Sequence, residues 1–130
     1  MFQKIEQWLF QRKYSATYRK EAYAYALEAG VIKQDIKELN DALQTNLKLV
    51  DEKQALMDKI EQDLKTLEGD AYTESRKEWE ALRVEIPSMK ERNDDLQKKV
   101  LPGKYRELGS KMQSTQNSIY KAKQIKNVRL

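Results

Sequence analysis

The sequence predicts an all-α protein, an elongated antiparallel helical hairpin or coiled-coil bundle, and three observations carry that expectation. Apolar residues recur at steps that alternate four and three. No stretch shows the two-residue alternation that a sheet demands. Only four Gly and two Pro interrupt 130 residues. Hydrophobic residues make up 39% and charged residues 35%, a balance that suits long helices burying a narrow stripe and showing solvent elsewhere.

The clearest element starts at Ile32. The ladder Ile32, Ile36, Leu39, Leu43, Asn46, Val50, Lys53, Met57, Ile60, Leu64, Leu67 holds nine apolar residues in eleven positions. Its mean step of about 3.5 residues keeps one seam turned toward a partner helix in a left-handed supercoil. Leu47, Leu49 and Leu56 lie beside the seam and widen it, which favours a bundle of more than two helices or a helical hairpin. Asn46 and Lys53 are polar seam residues seven apart, a device that fixes register and partner at some cost in stability.

The ladder loses phase at "LEGDAY". A second begins at Tyr72 and runs Ser75, Trp79, Leu82, Ile86, Met89, Asn93, Leu96, Val100. Gly69 suits the left-handed conformation that ends a helix and Asp70 can cap the next, so the reading places a turn near 69–70. A continuous helix with one skipped residue is the rival. Pro87 predicts a kink or break, with Ser88 and Glu91 spaced as a capping box behind it.

Pro102-Gly103 predicts a type II turn. Beyond it Tyr105, Leu108, Met112, Thr115, Ile119 and Ala122 repeat at helical spacing. Before the long ladder, Phe2, Ile5, Trp8 and Leu9 share one helical face, and Ser15 is placed to cap a helix ending at Gly30. The expected organisation is an aromatic helical arm over 1–30, a helical hairpin over 31–101 and a basic helix and tail over 102–130.

The junction "AYALEAGVIKQDIKEL" resembles a DNA-binding helix-turn-helix over some eighteen residues, through Ala26, Gly30, Val31, Ile36 and Leu39. Asp35, Glu38 and Asp41 on the would-be recognition helix repel phosphates, and the apolar ladder runs on for about seven more turns, unlike such helices. The favoured reading is a helix-to-coil junction, with Gly30 there for the bend.

Charge is unevenly spread. Residues 1–33 carry six Lys/Arg against three Asp/Glu, residues 34–103 twelve against seventeen, and residues 104–130 seven against one. Basic ends flank an acidic middle. Lys104, Arg106, Lys111, Lys121, Lys123, Lys126 and Arg129, with Tyr105 and Tyr120, form a mix that can hold phosphates without reading sequence. The competing expectation is that this tail packs on acidic helix of its own chain or of a sister subunit.

Chemistry finds no foothold. The chain has no His and no Cys, which removes the usual general base, the commonest metal ligand and any thiolate site. Carboxylate pairs such as Asp94-Asp95 and Glu78-Glu80 sit on amphipathic helix, and no glycine-rich phosphate loop or nucleophile motif occurs. No enzyme and no cofactor is expected.

No run approaches the roughly 20 apolar residues of a membrane span, and the start lacks the pattern of a secretory signal. A membrane partner is disfavoured even for the aromatic arm, which is expected to cover the end of a bundle or to dock into a partner's groove. The expected role is a self-associating scaffold or adaptor, an internal component of a viral particle or multi-protein machine, cytoplasmic or in the virion. The alternative is a nucleic-acid-binding accessory protein that uses its basic termini.

Overall fold

The computed structural model describes residues 2–127, and the side chains of residues 3–125. Almost all of this is helix: α1 spans Phe2–Asp63, α2 spans Gly69–Asp95, a π-helical segment spans Leu96–Val100, and α3 spans Leu101–Asn127. No strand occurs among the described residues. The chain divides into two compact units, one of residues 1–36 with 103–130, the other of residues 37–102.

Several expected interruptions are absent. Gly30 lies inside α1, which is unbroken for 62 residues, so no helix-turn-helix exists there. Ser15 does not cap a helix; it sits within α1 and is buried. The reason is that stripe burial on either side of Gly30, through Ala29 and Ile32, outweighs the roughly 1 kcal/mol helix penalty of one glycine. Pro102-Gly103 forms no turn and lies in the first turn of α3.

Pro87 likewise sits inside α2 without a break, and Ser88 is a helical residue, not a cap. Proline leaves the carbonyl four residues back without its donor. Pro87 lies on the exposed side of the helix, where water can satisfy that carbonyl, while Ile86 holds the opposite side at 3% exposure.

The real turn occupies residues 64–68. α1 closes in a tightened turn, with Lys65 N–H donating to Gln62 C=O at 3.2 Å and Thr66 N–H to Asp63 C=O at 3.1 Å. Gly69 has φ +64°, the sole positive value among the described residues, and opens α2 behind an extended Glu68. Asp70 is thus not the capping residue. It lies in the first turn of α2, where a carboxylate complements the positive end of the helix dipole.

In the second unit, Val50 and Ile60 of α1 and Leu82 and Ile86 of α2 make one buried cluster, joined by Met57, Leu64, Trp79 and Met89. Lys53 reaches across to Glu85 as an ion pair. In the first unit, Ser15, Ala22, Ala29, Ile32 and Ile36 of α1 are buried, as are Ser118 and Ala122 of α3. Ser15 Oγ donates to the Ala122 carbonyl at 3.3 Å.

The π segment corrects phase. Down α2 the inward positions run Trp79, Leu82, Ile86, Met89, Asn93, Leu96, after which a four-residue step would reach Val100. Val100 is 43% exposed and Leu101 is buried instead. Leu101 N–H donates to the Leu96 carbonyl, five residues back, so the wide turn takes up one extra residue. It also removes the close contact that the Pro102 ring would make with the carbonyl four residues back.

Two glycine substitutions test this backbone with opposite signs. Gly69→Ala forces a side chain into the left-handed region and is expected to cost about 1–2 kcal/mol. Gly30→Ala meets nothing within 4 Å and is expected to stabilise α1 by about 0.5–1 kcal/mol. Thermal unfolding followed by circular dichroism reads both, and a destabilised Gly30→Ala protein would show that α1 bends there.

Candidate functional site

The candidate sites are surfaces. Among the described residues no group of three or more acidic side chains is placed to hold a metal ion, and no helix is long and apolar enough to cross a membrane.

The long ladder comes first. Ile32, Ile36, Leu43, Val50 and Ile60 are buried, and Leu39, Asn46, Lys53, Met57, Leu64 and Leu67 are half-buried. These positions fall in both units, Ile32 and Ile36 in the first and the remainder in the second. Lys53 occupies its inward position by lying its stem along the stripe and delivering its ammonium to Glu85.

The aromatic arm lies bare. Ile5, Trp8, Leu9 and Phe10 are each 53–55% exposed; the Phe2 side chain lies outside the described residues. Arg12 stacks over Trp8 at 5.1 Å and Phe10 packs on Tyr14 at 4.3 Å. The inward face of α1 that follows carries buried Ser15, Ala22 and Ala29 alternating with half-buried Tyr18 and Tyr25.

α3 turns inward half of the expected ladder, Leu108, Thr115 and Ala122, and leaves the other half outside. Its inward positions are Leu101, Lys104, Leu108, Lys111, Thr115, Ser118, Ala122 and Ile125, at alternating steps of three and four. Tyr105, Met112 and Ile119, expected inside, are 54%, 43% and 42% exposed. The signal was present: the four-three spacing of the lysines with Leu108 is as regular as that of the exposed apolar set. Polarity argued against it.

Those lysines are engaged within the first unit. Lys111 Nζ lies 2.7 Å from Glu28, and Lys104 Nζ lies 3.7 Å from both Asp35 and Glu107. Lys111 also lies over the Tyr25 ring and Lys121 over Tyr18, each at 5.6 Å. Arg106 and Lys123 are exposed. The Lys126 side chain and Arg129 lie outside the described residues. Three of the tail's five described cations, Lys104, Lys111 and Lys121, thus meet α1 of their own chain.

A groove of about 520 Å³ opens on the second unit between Asn46 and Leu49 of α1 and Val84, Glu85, Arg92 and Asn93 of α2. Asn93 is 6% exposed, and its Nδ2 has no acceptor among the described residues. Trp79 Nε1 is likewise buried without a partner, flanked by Arg76 at 5.1 Å and Arg83 at 5.8 Å. Sequence reasoning named Asn46 but not this groove, because Asn93 becomes its neighbour only once α2 folds back.

No known protein family, no curated protein and no solved structure matches the chain.

The hydrogen bond and negative charge of Glu28 raise the Lys111 pKa above its ordinary value of 10.5. A raised folded-state value adds stability that is complete below the unfolded pKa and vanishes as pH climbs through the folded one. Wild type is therefore expected to lose part of its stability above about pH 10.5. Lys111→Gln should lose less over that window, as measured by urea unfolding at pH 8 and near pH 11. Ile86→Ala, in the second unit, should cost about 2–5 kcal/mol at every pH by leaving a cavity.

Proposed function

We propose that the chain is a non-catalytic scaffold or adaptor, built of antiparallel helical hairpins with coiled-coil packing, that self-associates as an internal component of a larger assembly. A viral particle or a multi-protein machine is the kind of assembly meant, within the virion or the cytoplasm.

One observation carries this reading. Large apolar side chains lie outside in both units, Trp8, Leu27 and Val31 in the first and Leu49 and Val84 in the second. No described side chain is fully buried, yet Leu27, Val31, Val84 and Trp8 are each more than half exposed. Large apolar side chains left outside in this number are what partner helices cover.

The reading as a nucleic-acid-binding accessory protein rests on the basic termini. Lys104 and Lys111 are drawn into ion pairs with Asp35 and Glu28, which leaves fewer cations to meet phosphates. DNA binding that is strong at about 50 mM salt and falls steeply by about 200 mM would favour that reading over scaffolding.

Light scattering on the full chain, from about 1 to 100 μM, tests self-association by mass action. A mass of at least twice 15.4 kDa is expected, with strong helical circular dichroism. A single-chain mass throughout that range would refute it.

A further inference from the structure

The groove on the second unit has the make-up of half a two-fold interface. Glu85 and Arg92 stand seven residues apart on its α2 side, so they point the same way with opposite charge. Beside them Val84 is 71% exposed, and Leu49 on the α1 side is 38% exposed.

Each of these facts asks for something different, and a second copy of the same surface supplies all of them. A two-fold axis crossing α2 between Glu85 and Arg92 makes the surface its own complement, as an isologous contact requires. Arg92 gains a carboxylate, Glu85 a guanidinium, and the apolar rim a matching rim. Glu85 already accepts from Lys53 of its own chain, but a carboxylate offers about four lone-pair sites. It can therefore also accept from Arg92 of a neighbour.

We propose that two copies of this chain pair through this groove, α2 lying antiparallel on α2, with Arg92 of each donating to the partner's Glu85. The proposal rests on the self-association inferred above and assigns it a surface. A partner with a purely apolar helix would leave Arg92 without an acceptor on burial, which is costly. A purely acidic one would repel Glu85.

The test uses the full chain and light scattering at one concentration where wild type is paired, with circular dichroism to confirm equal helicity. Val84→Glu, at a site too exposed to disturb the unit alone, should halve the mass by burying two added charges, one from each copy. Arg92→Glu alone and Glu85→Arg alone should do the same, since each sets like charges face to face. Mixing those two variants pairs opposite charges again and should restore the two-chain mass. A single-chain wild type would end both this proposal and the self-association reading. A wild-type oligomer indifferent to Val84→Glu and Arg92→Glu would overturn this surface while leaving self-association standing. Loss of mass in the single variants without rescue in the mixture would overturn the pairing of Arg92 with Glu85.

Discussion

A single buried stripe per helix is the constraint on which everything else depends. Each unit has two helical segments sharing one line of inward positions, and no third layer covers their outer faces. Burial is correspondingly shallow: the lowest exposure among the described residues is 3%, at Ile86. With so thin an interior, the repeat of the stripe governs the fold more than any one residue does. Helix-breaking residues are overruled where the stripe continues past them, as at Gly30 and Pro87.

The two units fill that stripe with different chemistry. The second uses branched and long aliphatic chains, Val50, Ile60, Leu82 and Ile86, each contributing about 1.5–3 kcal/mol of burial. Much of the first uses Ser15, Ala22, Ala29, Ser118 and Ala122, which bring helices close but remove little apolar area from water. It makes up the difference with lysines that lie along the interface and end on carboxylates. Many of its large apolar side chains, Trp8, Leu9, Phe10, Leu27 and Val31 among them, are outside.

The long ladder was legible because its inward positions are also its apolar ones. From Ile32 to Leu67 hydrophobicity and geometry agree, and even the two polar exceptions, Asn46 and Lys53, lie inward. The turn was legible through Gly69, whose positive φ no side-chain residue adopts cheaply. α3 was misread because there the two signals part. Tyr105, Met112 and Ile119 offer the apolar ladder, whereas Lys104, Lys111 and Ser118 take the inward places. The lysines can do so because Glu28 and Asp35 wait on α1, information that no local reading of α3 contains. The absent breaks at Gly30 and Pro102-Gly103 were misjudged for a related reason, since local propensity is a weak prior against continuous packing.

The wide turn at Leu96–Val100 has a consequence for how this chain can vary. It absorbs one residue, and one residue of an α-helix corresponds to about 100° of rotation. Removing any single residue from that segment would leave ordinary helix, yet would swing Lys104 and Lys111 away from the carboxylates they now meet. Its four exposed side chains, at 97–100, can be exchanged freely, but the number of residues cannot. Beyond the inward Leu96, what is held fixed in this segment is a count, and the amino-acid identities are incidental.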